Sequence, residues 1–423
     1  MAAVLDVFLH GTLVGSITNL TSDHNVFTFD ERYLEDERRP TLSLGLLDPE
    51  GNVSAPSKTP HVRLLPFFSN LLPEGHLRQY LAARAHVNPV RDFPLLWILG
   101  QDLPGAVVVR HRAGAAIPLY DGDLVASDVQ NDPTVLKFSL AGVQLKFSAI
   151  LETSGGLTVP VHGTNGDWIL KMPSAIYADV PQNEFAMLTF AREVGIDVPE
   201  IRTIDLSEIS GLPPEVRSDL GIALAIKRFD RHDGGRIHVE DFNQIFGQYP
   251  AEKYDSVSYG NMLSGIWRTL GEKDAREFVR RLVFNIGIGN ADMHLKNWSV
   301  IFPDGRTPRL APAYDYVSTV AYIDDDTLAL SIYRTKRWNE ISYDLLERFA
   351  RRAGVPRVVV IEPAREMVER MRDVWPRLEG NLDLDSRVIA RIDKQMGFVP
   401  IFGATQSTTA IATAPLEKHT EIQ

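Results

Sequence analysis

The sequence predicts an α+β protein of two unlike parts: a small N-terminal α+β domain, then a two-lobed domain whose second lobe is mostly helical. Three observations carry this. Strand-like runs crowd the first fifty positions and give way to helix-period patterns near residues 74 and 93. A stretch rich in Ala, Gly, Asp and Pro, Ala113–Pro133, then reads as a linker. Beyond it the order is strand, strand, helix, strand, followed by helical patterns from about Asp241.

Val4–Leu9 and Leu13–Ile17 flank a His10-Gly11 turn and predict a β-hairpin. Val26–Phe29 and Leu42–Leu47 are expected as further strands. Glu74 to about His86 is expected as a helix with Leu77, Tyr80, Leu81 and Ala85 on one face, and Phe93–Leu99 as a second helix. Residues 1–112 therefore form the first unit and 113–133 the linker. Leu136–Ile150 and Asp167–Lys171 are expected as strands joined by a Gly-rich connection, Gln182–Val194 as an amphipathic helix ended by Gly195, and Gly221–Arg228 as an apolar strand. These make residues 134–232 the first lobe and 233–403 the helical lobe, with a nucleotide-sized cleft between them. The Thr-, Ser- and Ala-rich residues 404–423 are expected to be disordered.

Composition narrows the function classes. Of the 423 residues, 44% are hydrophobic and 23% charged, as in ordinary globular proteins. The net charge of −11 argues against strong direct nucleic-acid binding, which needs clustered Lys and Arg. With no cysteine, disulfides, thiolate metal sites and cysteine nucleophiles are excluded. Met1–Asp6 shows no signal-peptide pattern, and the apolar run Phe93–Leu99 is far short of the ~20 residues of a membrane span. The expected location is cytoplasmic.

Val283–Val300 is the most informative segment. A polar loop, Ala291–Asn297, lies between an apolar helix end and the strand-like Trp298–Phe302, an arrangement that holds chemical groups rigidly. Asp292 and Asn297 have the Asp-x₄-Asn spacing with which phosphoryl transfer places a carboxylate for the acceptor hydroxyl and an amide oxygen for Mg²⁺. Alone that spacing is common, and an Asp capping a loop gives the same letters. Asp315 follows after a Pro303-Asp304-Gly305 turn, so a β-hairpin returns it beside Asn297 as a second hard oxygen ligand. The Phe and Gly of an Asp-Phe-Gly motif are absent after it. Lys171 shares a strand face with Ile169, opposite Trp168 and Leu170; it is either an edge charge or a phosphate clamp partnered by Glu184. Ser139–Lys146 is a small-residue turn that can cradle phosphates or simply join two strands, and no Walker A motif is present. Ile226–Arg231 ends a strand where a hinge joins two lobes; its backbone and Phe229 are placed to meet an adenine, or it is a plain basic loop. His294 has no second His at ligand spacing and is read as scaffolding or a phosphate contact.

Together these residues resemble the HipA toxins, serine/threonine kinases of bacterial toxin–antitoxin modules. Asn70–Gly75 and Leu99–Ala106 are similar to that family's N-terminal domain. Phe138–Lys146 is similar to its Gly-rich loop, Ile169–Pro173 to its ATP-lysine strand and Asn183-Glu184 to the following helix. Arg228–Arg231 is similar to its hinge, Glu240–Gly247 to a helix start, and Gly289–Asn297 with Tyr314-Asp315 to its catalytic and metal segments. The resemblance spans roughly residues 1–350. It implies a protein-kinase-like fold with Asp292 as catalytic base and Asn297 and Asp315 as Mg²⁺ ligands. It implies ATP contacts from Ser139, Ala141, Gly142, Val143, Gln144, Lys171, Lys227, Arg228, Phe229, Asp230, His294 and Lys296. Ser139 stands where the family autophosphorylates to switch itself off. Lys227 departs from the acidic residue of the best-known relatives, which puts a side-chain contact to adenine in question. The implied partners are a HipB-like helix-turn-helix antitoxin, DNA only through that antitoxin, and a protein substrate such as an aminoacyl-tRNA synthetase. Two rival readings remain: a small-molecule phosphotransferase of aminoglycoside-kinase type, and a catalytically silent antitoxin-binding co-repressor.

Overall fold

The computed structural model describes residues 3–54, 60–113, 146–151, 157–158, 166–174, 176–212, 221–233, 235–324 and 327–403. The expected linker from residue 114 onward, the Ser139–Gln144 loop and the tail from residue 404 lie outside these residues.

The N-terminal module opens with the expected hairpin, β1 (Ala3–Leu9) and β2 (Thr12–Asn19). His10 and Gly11 both take positive φ, 50° and 81°, the geometry that lets a two-residue turn follow the strands' twist. Leu5, Val7 and Leu9 all face the core, as a period of two requires. β3 (Asn25–Phe29) and β4 (Val107–His111) complete an antiparallel sheet of order β3-β2-β1-β4. The helices are α1 (Glu31–Glu35), α2 (Pro66–Ser69), α3 (Gly75–Arg84) and α4 (Asp92–Leu99). Asp92 is buried at the start of α4, where its carboxylate accepts from the Leu64 amide (3.0 Å), the Ser69 hydroxyl (2.5 Å) and Arg78 (2.6 Å).

Leu42–Leu47 is not the strand its apolar residues suggested. Leu44–Leu46 is a single 3₁₀ turn. The Ser43 hydroxyl accepts from the Gly45 amide at 3.1 Å, and the Leu44 amide donates to Glu240 at 2.9 Å. The backbone groups a strand would give its neighbour are thus spent on a turn and on the distant Glu240. Gly45 is needed there, since a Cβ would sit 2.6 Å from the Ile245 carbonyl oxygen.

The first lobe holds β5 (Lys146–Leu151), β6 (Leu157–Thr158), β7 (Trp168–Lys171), β8 (Ile201–Asp205), β9 (Ile209–Ser210) and β10 (Ile222–Lys227). Among the described residues they form one sheet of order β8-β10-β7-β5-β6-β9. Helix α5 (Val180–Glu193) packs against it. Gly195 ends α5 at φ 88°, with the Ile196 amide bonded to the Ala191 carbonyl and the Gly195 amide to that of Arg192, a left-handed cap that favours glycine. Trp168 and Leu170 pack with Leu77 and Leu81 of α3. The apolar face of α3 therefore covers the next lobe's sheet and fixes the module to it.

The second lobe begins with a short hairpin, β11 (Arg231–His232) and β12 (Gly235–Arg236). β13 (His238–Asp241), α6 (Phe242–Ile245), α7 (Tyr259–Thr269) and α8 (Glu272–Gly287) follow. β14 (Ser299–Phe302) and β15 (Arg309–Leu310) then complete a sheet of order β13-β14-β15. The lobe closes with α9 (Tyr343–Ala353), α10 (Arg357–Leu378), α11 (Ser386–Phe398) and α12 (Pro400–Gly403). The largest apolar core lies here, around α7, α8, α9 and α10. The fold class is the expected one: a small N-terminal α+β domain, then a two-lobed kinase-like domain with a mostly helical second lobe.

His238 joins the module to this lobe, its Nε2 donating to the Leu42 carbonyl at 2.8 Å. Burial, against the helpful bond to Leu42, holds its imidazole down to about 4, so it is neutral near neutral pH. The unfolded imidazole protonates first on acidification. The stability carried by neutral His238 is therefore full above pH 6.5 and falls as the pH drops from 6.5 to 4. The loss reaches about 3 kcal/mol, at about 1.36 kcal/mol per unit. Urea midpoints of the parent should fall more steeply over that window than those of His238→Gln, and parallel slopes would refute the assignment.

Candidate active site

One cavity of 730 Å³ lies where the two lobes and the N-terminal module meet, a volume suited to a small-molecule ligand. Lys171, Lys227, Arg228, Phe229, Asp230, Asp292, His294, Lys296, Asn297 and Asp315 all line it. Ser139, Ala141, Gly142, Val143 and Gln144 lie outside the described residues.

Lys171 stands on β7, facing the cavity with Ile169, while Trp168 and Leu170 point into the core. Its ammonium meets Glu184 of α5 at 2.5 Å and also pairs with Asp315. Burial alone would lower the Lys171 pKa, but the two carboxylates outweigh it and raise it. Asp315 sits at φ 61°, a left-handed conformation that costs a non-glycine residue roughly 1 kcal/mol or more. It lies beyond the β14–β15 hairpin, on the same cavity wall as Asn297.

The loop after α8 is tied down residue by residue. Gly289, at φ 66°, ends the helix where a side chain would strike Val320. The Asn290 amide nitrogen donates to Asn285 Oδ1 (2.9 Å) and reaches the Asp315 carbonyl (3.4 Å), while its oxygen accepts from the Asp292 amide (3.1 Å). The Ala291 amide donates to Thr319 Oγ1 at 2.8 Å, and Tyr259 and Tyr314 donate to the carbonyls of Met293 and Lys296 at 2.9 Å each. Met293 and Leu295 are buried in the core. Asn297 donates its amide nitrogen to the Asp292 carbonyl at 2.8 Å, which leaves its oxygen for another partner. An amide oxygen and a carboxylate facing one cavity are hard donors of the kind Mg²⁺ takes. The Asp292 side chain is 55% exposed and accepts from the Tyr254 hydroxyl at 2.5 Å.

Several residues expected as nucleotide contacts also have partners within the protein. Arg228 and Asp230 form a buried pair (2.8 Å), and Asp230 also takes the Gly105 amide of the N-terminal module (2.8 Å). Burial would raise the Asp230 carboxyl, but Arg228 and Arg231 carry it down to about 2. Lys227 lies 3.4 Å from Glu200. The Lys296 ammonium donates to the Asn70 carbonyl (2.9 Å) and Asn70 Oδ1 (3.1 Å), with Asp241 at 3.3 Å and Glu74 at 3.4 Å. His294 is pushed down to about 3 by burial and by Lys253, so it is neutral. Phe229 packs on Tyr314, ring centroids 5.9 Å apart.

The family model described as HipA-like C-terminal domain matches residues 138–375, and the HipA N-terminal domain matches residues 5–110. The chain belongs to the HipA family. It is 50% identical over 402 residues to the "Putative kinase Y4dM" of Sinorhizobium fredii, covering 94% of this chain and 98% of that one. It is 25% identical over 445 residues to the "Serine/threonine-protein kinase toxin HipA" of Shewanella oneidensis, covering 93% and 96%. A solved complex of Shewanella oneidensis HipA, HipB and operator DNA superposes with a TM-score of 0.69 at 22% identity, over 93% of this chain and 98% of that chain, a likeness of fold.

In this HipA-family chain the cavity also holds residues that the sequence did not offer as site residues: Asn70, Glu74, Asp241 and Tyr254. Asn70 and Glu74 stood in a motif whose contact with the Asp292–Asn297 loop no local pattern discloses. Tyr254 lies in an aperiodic loop. Removing Lys171 while Glu184 stays buried should be costly. Lys171→Met is expected to lower unfolding stability by about 3 kcal/mol, read from urea titrations; a loss below about 1 kcal/mol would show that the triad is not held out of water.

Proposed function

We propose that this chain is an ATP-dependent serine/threonine protein kinase that acts as a growth-inhibiting toxin. The observation that carries this is the joining of Asp292 to Asn297 through one hydrogen bond, in a cavity shared with the Lys171–Glu184–Asp315 triad. Lys171, steered by Glu184, meets the phosphates. Phe229 and the backbone of 227–230 border the adenine. Asn297 and Asp315 would hold Mg²⁺, which when bound would neutralise charge on the phosphates. Asp292 accepts the hydrogen bond of the acceptor Ser or Thr hydroxyl and takes its proton as the oxygen attacks the γ-phosphorus of ATP, the bond from that phosphorus to the β–γ bridging oxygen breaks, and ADP leaves with the electron pair. Neutral His294 and the engaged Lys296 hold the loop in shape.

The Shewanella relative is named a serine/threonine-protein kinase toxin, and the solved complex contains HipB and operator DNA. By that likeness we take a HipB-like antitoxin as partner and DNA as reached through it; the motif resemblance read from the sequence adds a translation component such as an aminoacyl-tRNA synthetase as substrate and Ser139 as an autophosphorylation site. Among the described residues no helix is long and apolar enough to cross a membrane.

Asp292→Asn should cut phosphoryl transfer by about 10²–10⁴ while Mg-ATP still binds. Phosphosite mapping after expression without antitoxin, in parent and variant, reads this directly. Equal labelling in both would remove Asp292 from the mechanism.

A further inference from the structure

The Tyr254 hydroxyl donates to Asp292 Oδ1 at 2.5 Å. That is the hydrogen bond a substrate hydroxyl must make if Asp292 is to take its proton. The Tyr254 ring stands edge-on to His294, centroids 4.9 Å apart and planes at 80°, and the residue is 39% exposed. Its loop is fastened on two sides. Lys253 reaches Glu74 of the N-terminal module at 3.0 Å, and the Lys253 carbonyl accepts from the Leu295 amide at 3.2 Å. Burial would raise the Glu74 carboxyl, but Lys296 and Lys253 outweigh it and lower it, so the clamp is ionic.

We propose that Tyr254 holds the seat of the acceptor hydroxyl, so that residues 253–257 gate the acceptor subsite and a substrate Ser or Thr enters by replacing the Tyr254 hydroxyl on Asp292. This rests on the kinase reading of Asp292. The exchange is cheap. A half-exposed phenol gives up one hydrogen bond and finds water, and the incoming hydroxyl restores the bond to the carboxylate, so little net energy is lost. While Tyr254 is seated it fills one acceptor position of the base, at Oδ1, and denies that position to water even though the carboxylate is otherwise open, which restrains wasteful hydrolysis of ATP. Glu74 sets the gate's position through Lys253, and this gives the N-terminal module a hold on acceptor entry.

Water is the smallest acceptor and serves as the probe. The full chain, Tyr254→Phe and Glu74→Gln are each given Mg-ATP with no protein substrate. ADP release is measured alongside Mg-ATP affinity by calorimetry. Tyr254→Phe keeps the ring on His294 and removes the hydroxyl. It should raise hydrolysis roughly three- to tenfold, the size expected for freeing a carboxylate from one hydrogen bond, at unchanged Mg-ATP affinity. Glu74→Gln should move the rate in the same direction by less. Adding Asp292→Asn to Tyr254→Phe should return the rate to background. Rates at or below the parent's in both variants overturn the gate and make Tyr254 a support for Asp292. Phosphate found on Tyr254 in the parent also overturns it, making that residue the acceptor. A raised rate that survives Asp292→Asn points instead to failure of the kinase reading itself.

Discussion

Lys171 is a cation almost wholly removed from water, and the rest of the cleft is arranged around keeping it there. An isolated ammonium in that position would lose its proton or unfold the sheet. It stays charged because Glu184 and Asp315 reach it from opposite lobes. Burying such a group is weak evidence for stability but strong evidence for geometry, because neither partner can leave without stranding the others. The pairing fixes α5 against β7 and draws the Asp315 segment, with its left-handed backbone, to the mouth of the first lobe. Asn290 relays that position to the Asp292 loop by bonding both the Asp315 carbonyl and the Asp292 amide.

The N-terminal module is a third wall of the same structure. It meets the two lobes along polar seams with partners on both sides. Ser43 and Leu44 donate to buried Glu240, yet burial still pushes that carboxyl up to about 8. Asp102 and Gly105 hold Arg231 and Asp230 just after β10, and Asn70 and Glu74 hold Lys296 in the Asp292–Asn297 loop. Withdrawing the module would take from Glu240, Asp230 and Lys296 each a hydrogen-bond partner it now has, and a buried polar group that loses a partner costs about 1–3 kcal/mol. The apolar contact of α3 with Trp168 and Leu170 adds adhesion, but the polar seams set register.

Much of this was legible in the sequence where local rules govern. The β1–β2 hairpin followed from His10-Gly11, the end of α5 from Gly195, and the facing of Lys171 from strand alternation. The Asp292–Asn297 spacing placed two groups on one short loop. What was not legible depended on distant partners. Leu42–Leu47 has strand-like composition, but Glu240 and His238, some 200 residues away, take its backbone groups. Arg228, Asp230 and Lys296 line the cavity, but no local pattern discloses that the N-terminal module reaches them through Asp102, Gly105, Asn70 and Glu74. Tyr254 carried no signal, because its importance lies in one hydroxyl meeting Asp292 across 38 residues of chain.

The three carboxylates of the cleft are alike in chemistry and differ in access to water, and that difference matches the roles proposed for them. Side-chain exposure runs from 1% at Glu184 through 26% at Asp315 to 55% at Asp292. A group that only steers a lysine works best with no water to compete for it. A metal ligand must keep an oxygen available to an ion that arrives with waters still bound. A base must meet a hydroxyl delivered from outside, and so must stand open to the cavity. The fold produces this order by depth alone: Glu184 on a packed helix, Asp315 past a hairpin at the cleft mouth, Asp292 at the head of a loop whose anchoring residues, Met293 and Leu295, point the other way. The open position that the proposed base role asks of Asp292 also exposes it to water, and the proposed gate answers that liability with the Tyr254 hydroxyl seated on the carboxylate.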